Sequence, residues 1–170
     1  MNKKGHVLNA ILLAIGVGYV LEPAGDMSTF VAIAQVFMPL VLGALFPDVD
    51  TAFGKHRKTL HNLPILAIFL AYPYFFSNLS FVWAGILTHY VLDMVGSRRG
   101  IALFYPFWSE EFGIPSGVTT SSKFAEVVTV AVTLIELAVF AAMVYLLPKY
   151  LPPGLELPGA AAAVTAVFPV

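Results

Sequence analysis

Residues 43–62 read Gly-Ala-Leu-Phe-Pro-Asp-Val-Asp-Thr-Ala-Phe-Gly-Lys-His-Arg-Lys-Thr-Leu-His-Asn and separate two long apolar segments of the chain. Pro47 and Gly54 predict that the first of these segments ends in a turn, which places the polar residues at the end of an element. The stretch contains four side chains of the kinds that bind zinc, manganese or iron, namely Asp48, Asp50, His56 and His61. It therefore predicts a metal site or, in the simpler interpretation, a solvated connecting loop.

The composition excludes an ordinary soluble domain. Of the 170 residues, 59% are hydrophobic and only 11% are charged, whereas soluble domains carry roughly 25% charged residues. The formal net charge of -1 leaves no large basic surface, so we expect no nucleic-acid partner. The absence of cysteine excludes disulfides and thiolate metal sites. We predict one membrane-embedded domain over residues 1–150, followed by an apolar tail over 151–170 that is interfacial or poorly ordered.

Apolar segments recur along the chain and predict an all-α integral membrane protein with about five transmembrane helices. The segments cover residues 7–21, 30–46, 63–76, 79–95 and 124–147. About 20 apolar residues span a bilayer, so the first four segments are short individually, and their regular alternation with polar loops supports the assignment. The first segment lacks a clear cleavage site, which favours a retained helix over a signal peptide.

The basic residues predict the orientation. With the N-terminus inside, the inner loops hold Lys3, Lys4, Lys55, Arg57, Lys58, Arg98, Arg99 and Lys123, and the outer loops hold Lys149. This bias predicts a multi-pass protein of the cell membrane with a cytoplasmic N-terminus. On the same map all four histidines fall at the inner face, which predicts a metal site at the cytoplasmic ends of the helices.

Two pairs of polar residues share helix faces near that inner end. His89 and Asp93 are four residues apart, so both side chains project from one face and can chelate one ion. The alternative is a His–Asp hydrogen bond that joins two helices. His6 and Asn9 share a face of the first helix, and Asn9 could orient the imidazole. For His6 an interfacial anchor remains the alternative to a ligand.

These residues together resemble a known family. The chain contains Pro47-Asp48-Val49-Asp50, then His56-Arg57-x-x-x-His61, then His89-x-x-x-Asp93 with a following Gly and Tyr105-Pro106-Phe107. Over residues 5–108 this order resembles the YdjM-type membrane-bound metal-dependent hydrolase family. It is also similar to the first half of the zinc-dependent phospholipase C and single-strand nuclease superfamily. Asn62 replaces the usual serine of the family, and a second His-x-x-x-Asp is absent.

The resemblance implies a ligand set. Its residues would bind one divalent ion, zinc or alternatively manganese or iron, through Asp48, His61, His89 and Asp93. Asp93 would bridge toward a second ion held by His6, so one or two ions are expected. His56 and Asn9 are candidates for additional ligands or for residues that orient a ligand.

The remaining polar residues predict the chemistry. Asp50 is a candidate general base or additional metal ligand. Arg57 is a candidate clamp for an anionic substrate, with Arg98 and Arg99 as further substrate-binding candidates. Plain anchoring at the inner face is the alternative for these arginines. We predict a hydrolase that acts at the cytoplasmic membrane surface on a phosphoester, for example a phospholipid, with membrane lipids as partners. The alternative is a non-enzymatic metal-binding protein or a transporter, although ligands at helix ends favour the hydrolase.

Overall fold

The described part of the chain forms five α-helices, as the sequence predicts. The computed structural model describes residues 2–76, 79–114, 117–119, 121–146 and 149–150. The helices are α1 (Lys3–Leu21), α2 (Met27–Leu45), α3 (Leu63–Phe76), α4 (Val82–Val95) and α5 (Ala125–Tyr145), with a 3-10 helix at Pro47–Ala52. Within these described ranges the chain forms isolated β-bridges but no strand. The tail predicted over residues 151–170 lies outside the described residues.

Three of the five helices are long and apolar enough to cross a membrane, namely α1, α2 with the 3-10 helix that follows it, and α5. By contrast, α3 and α4 have 14 residues each, which corresponds to about 21 Å against a hydrocarbon core of roughly 30 Å. Residues 79–82, at the start of α4, line one pocket together with Gln35, Met38, Pro39 and Leu42 of α2. Helix α4 therefore begins beside the middle of α2 and does not extend to the first residue of α2.

Small residues allow the long helices to pack closely. A core between α1 and α2 contains Ala10, Leu13, Ala14, Val36, Leu40 and Ala44. Helix α2 meets α4 where Gly43 faces Gly85, and a Cβ on Gly85 would lie 2.2 Å from the carbonyl oxygen of Leu40. Because no side chain separates these backbones, the last turn of α2 comes within hydrogen-bonding distance of α4.

The connections at one end of the bundle fold over the helix termini. Tyr90 on α4 donates from its hydroxyl to the Leu60 carbonyl at 2.5 Å, and that hydroxyl accepts from the Asn62 backbone N–H at 3.1 Å. Asn62 in turn accepts from the N–H of Ile65 at 3.0 Å and so caps the start of α3. Asparagine serves this capping position as well as serine does. The loop that carries the predicted ligands is thereby held against α4.

Candidate metal centre

The structure brings together the four residues that the resemblance implies as ligands. We call Asp48, His61, His89 and Asp93 the central cluster. The Nε2 atoms of His61 and His89 are 3.1 Å apart. From His89 Nε2 the nearest oxygens of Asp93 and Asp48 lie at 3.7 and 3.9 Å, and Asp93 lies 3.8 Å from His61 Nε2. Ligands around a tetrahedral zinc are separated by about 3.3 Å, so His61, His89 and Asp93 have spacings that could hold one divalent ion, with Asp48 close to His89. Two groups have ligand atoms that all lie within 4.8 Å of one another, namely His6–His89–Asp93 and Asp48–His56–His61.

The four residues come from three parts of the chain, namely α4, the 3-10 helix and the loop that follows it. Helix α4 presents His89 and Asp93 one turn apart on its buried face. The 3-10 helix contributes Asp48, which is nearly buried, and also Asp50, which is fully buried. A 3-10 helix has three residues per turn, so two residues separated by two positions point in different directions. Asp48 accordingly faces His89, while Asp50 faces the loop that contains His61.

Hydrogen bonds orient both imidazole rings of the cluster. His89 Nδ1 lies 2.7 Å from the carbonyl oxygen of Ala44, which can only accept. His61 Nδ1 lies 3.0 Å from an oxygen of the Asp50 carboxylate. Both Nδ1 atoms therefore carry the ring proton, and both Nε2 atoms keep a lone pair. This is the arrangement that positions histidine ligands of metals.

The Nε2 lone pairs of His61 and His89 consequently point toward each other. Burial lowers the pKa of His61, against the opposing influence of the Asp50 and Asp93 carboxylates. A neutral His61 at 3.1 Å from His89 Nε2 places two acceptors in contact without a proton between them. His61 and His89 would each offer a lone pair to a divalent cation, which would relieve this repulsion, so the chemistry of the donor set fits a metal.

His6 lies on the other side of Asp93. Its ring stacks on His89 with centroids 3.7 Å apart, and its Nε2 lies 3.4 Å from the second carboxylate oxygen of Asp93. Neither ring nitrogen of this fully buried histidine makes a hydrogen bond to the described part of the chain. Buried polar nitrogens of this kind are rare unless an ion or water binds them. His6, His89 and Asp93 each offer one ligand atom within 4.8 Å of the others, so they form a group that could hold a divalent ion.

Asp50 has partners on both carboxylate oxygens. One oxygen lies 3.0 Å from His61 Nδ1 and the other 2.9 Å from His56 Nδ1. This arrangement orients two imidazoles and leaves no exposed oxygen for the general-base role considered above. His56 is the exposed member of the group, since its side chain is 41% accessible to solvent. Its Nδ1 lies 3.9 Å from Asp48, so it borders the central cluster.

The structure differs from the expectation that Arg57 clamps a substrate. Arg57 is buried and has a left-handed backbone with φ of 67°. Its guanidinium donates to the carbonyl oxygens of Arg99 at 2.6 Å and Gly100 at 3.1 Å, and to the Ser97 hydroxyl at 3.2 Å. It also lies 3.7 Å from Asp93. The loop conformation turns the side chain inward, where it holds the segment after α4 beside the cluster.

The two other arginines remain at the surface. Arg99 forms a two-point ion pair with Glu111, at 2.7 and 3.2 Å, and this hydrogen bonding lowers the pKa of the Glu111 carboxyl. Arg98 is exposed next to it. Arg98 is thus better placed than Arg99 to meet an anion.

Asn9 makes contacts that sequence spacing did not indicate. Its amide nitrogen donates to Thr133 at 2.9 Å and to Glu136 at 2.8 Å, both on α5, rather than to His6. Its amide oxygen lies 2.7 Å from the Thr88 hydroxyl on α4. Contacts between residues so distant in sequence carry no local signal. Glu136, an acidic residue deep inside the fifth apolar segment, was the only hint of this network.

Aromatic side chains surround the same end of the bundle. Phe104, Trp108 and Phe112 form a group with ring centroids 5.6 to 6.3 Å apart. Phe107 beside them is 91% exposed. Exposed aromatic residues next to apolar helices are typical of a membrane–water interface. These aromatic residues lie at the end of the bundle that also carries the central cluster.

Comparison with known proteins gives one match. The family model described as YdjM inner membrane protein matches residues 1–168 of the chain. The searches of curated proteins and of solved structures found no match to this chain.

Proposed function

The chain belongs to the YdjM inner membrane protein family, and on that premise we propose that it is a membrane-bound, metal-dependent hydrolase of phosphoesters. One observation carries the proposal. The Nε2 atoms of His61 and His89 face each other at 3.1 Å while each Nδ1 is committed to an oxygen. Two buried carboxylates, from Asp48 and Asp93, lie beside them. Mixed nitrogen and oxygen ligands of this kind suit zinc, with manganese and iron as substitutes.

A second ion is part of the proposal. His6 and the outer oxygen of Asp93 offer a nitrogen and an oxygen at 3.4 Å. His89 lies within 4.8 Å of both as a third possible ligand, but it is already assigned to the central cluster, so we expect weaker binding at the second position. Asp93 would then bridge the two positions, one oxygen for each.

A bound divalent ion would polarise a phosphoryl oxygen and would lower the pKa of a bound water toward neutrality. The residues of the chain supply the rest. Asp50 and the Ala44 carbonyl fix the rings of His61 and His89, so no reorganisation is needed when a ligand arrives. His56 is held by Asp50 through Nδ1 and is open to solvent. We assign it the exchange of a proton with the substrate or with water.

The surroundings of the cluster support a lipid phosphoester as substrate. Val49 lies between Asp48 and Asp50 in the chain, and Phe53 follows the 3-10 helix; their side chains are 49% and 67% exposed. Lys55 beside them is also exposed and can attract an anion. An amphiphilic molecule in the adjoining leaflet would meet an apolar surface and then the charged cluster. Because the basic residues lie at this end, we propose that it faces the cytoplasm.

The test is hydrolysis of phosphomonoester and phosphodiester lipids by the purified protein. We expect turnover that a chelator abolishes and added zinc or manganese restores. His89→Ala should lose both turnover and metal, whereas Asp26→Asn, at the exposed start of α2, should match the wild type. Metal retained by the wild type without turnover on any phosphoester would overturn the hydrolase and favour a metal-binding protein.

A further inference from the structure

A second polar group lies between α1, α4 and α5. It consists of Asn9, Thr88, Thr133 and Glu136, which we call the α1–α4–α5 network. Asn9, Thr88 and Thr133 are buried, and Glu136 is partly buried within the longest apolar helix. None of the ion pairs among the described residues involves Glu136. An unpaired charge inside an apolar helix is costly.

The contacts in this network form a closed triangle. Thr88 Oγ1 lies 2.6 Å from one carboxylate oxygen of Glu136 and 2.7 Å from the amide oxygen of Asn9. The amide nitrogen of Asn9 lies 2.8 Å from the other oxygen of Glu136. Each of these three distances is that of a hydrogen bond, and each hydrogen bond requires one proton between its two atoms.

The three partners do not supply three protons unless Glu136 carries one. Asn9 provides a proton for its bond to Glu136, and its second N–H points at Thr133. Thr88 has one hydroxyl proton, which can bond Asn9 or Glu136 but not both. If Glu136 were ionised, two oxygens would touch at 2.6 or 2.7 Å with no proton between them.

Rotating the Asn9 amide by half a turn does not remove the deficit. Asn9 would then donate to Thr88, and Thr88 would donate to Glu136. The Asn9 oxygen would now face the second oxygen of Glu136 at 2.8 Å, again without a proton. Either orientation is one proton short.

We infer that Glu136 is a proton-binding site within the membrane-spanning bundle, occupied by a proton at neutral pH and separate from the metal centre. The neutral acid donates to Thr88, Thr88 donates to Asn9, and Asn9 donates back to Glu136. The ring is then fully satisfied and carries no charge, which an apolar environment favours.

The hydrogen-bonded triangle that includes protonated Glu136 positions two residues of the metal centre. Asn9 is three residues after His6 on α1, and Thr88 directly precedes His89 on α4. Glu136 from α5 bonds to both and so fixes the two helices relative to each other. The stacking of His6 on His89 depends on that relation.

Infrared spectroscopy of the full-length protein at neutral pH tests the inference. A protonated carboxylic acid has a carbonyl band well separated from that of a carboxylate. We expect this band in the wild type, its loss in Glu136→Gln and its retention in Glu126→Gln, a matched change at an exposed position of α5. A wild-type spectrum that matches Glu136→Gln in this region would overturn the assignment.

Conservative replacement provides an independent readout. Glutamine has the shape and the donor and acceptor of a protonated glutamate, so Glu136→Gln should keep the melting temperature and metal content of the wild type. Glu136→Ala should lower both. A Glu136→Gln protein as unstable as Glu136→Ala would show that the negative charge is required, which contradicts the inference. Neither the band nor the rescue requires turnover, so failure of the phosphoesterase assay would not be mistaken for failure here.

Discussion

Replacement of Asp50 by asparagine should weaken metal binding even though Asp50 is not proposed as a ligand. Two imidazole N–H groups, from His61 and His56, require acceptors at this carboxylate. Asparagine offers one acceptor oxygen and one amide group that can only donate. One ring must therefore lose its acceptor, and where that ring is His61 its proton moves to Nε2 and removes a lone pair from the central cluster.

The size of the effect follows from the role of residues behind a metal ligand. Loss of such a partner typically weakens metal binding by about 10- to 100-fold, or about 1.4 to 2.7 kcal/mol. We therefore expect the dissociation constant for zinc to rise by this factor in Asp50→Asn, measured by competition with a chelator of known affinity. Asp26→Asn is the control, because Asp26 caps α2 and asparagine caps equally well.

The opposite pattern would refute this reasoning. If Asp50 were a general base, Asp50→Asn would lower turnover and leave zinc affinity within about twofold of the wild type. The structure predicts instead that Asp50→Asn mainly weakens zinc binding, and that turnover measured at saturating zinc falls by a smaller factor than the affinity does.

Three further predictions concern the scaffold. Gly85→Ala should destabilise the protein by about 1–3 kcal/mol, seen as a lower melting temperature in detergent, because its Cβ would lie 2.2 Å from a backbone oxygen of α2; an unchanged melting temperature would contradict the close crossing. Arg57→Ala should destabilise by on the order of 2 kcal/mol, since it strands buried carbonyl oxygens, and a folded variant with only a raised KM would restore the substrate-clamp role. Cysteines placed at Thr51 and Ser28 should react with an impermeant reagent from the cytoplasmic and external sides respectively; labelling of both from one side would contradict the proposed orientation.

Much of the helical layout can be predicted from the sequence, because apolar segments between polar loops are a direct signal of helices in a membrane. The third segment, predicted over residues 63–76, has the same bounds as α3. The fourth was predicted to begin at residue 79, whereas α4 begins at Val82. Hydropathy alone does not reveal that Leu79 and Phe81 adopt left-handed backbone conformations, which delay the start of the helix.

Some features of the candidate site can likewise be predicted from the sequence, and others cannot. His89 and Asp93 share one face because of their spacing, which a helix converts directly into proximity. The role of Asp50 depends on the 3-10 helix that turns it away from Asp48, and neither Pro47 nor Gly54 specifies that geometry. The inward position of the Arg57 guanidinium is the feature that the sequence predicts least well, since it depends on a left-handed backbone conformation.

X-ray absorption at the zinc edge tests the central claim most directly, using the purified protein loaded with one equivalent of zinc. The central cluster predicts four nitrogen or oxygen ligands. Two of them are the imidazole nitrogens of His61 and His89, at about 2.0–2.1 Å from the zinc. His89→Ala should reduce the imidazole contribution to one or release the zinc. A wild-type shell made only of oxygen, or zinc that dialysis without chelator removes completely, would contradict the account.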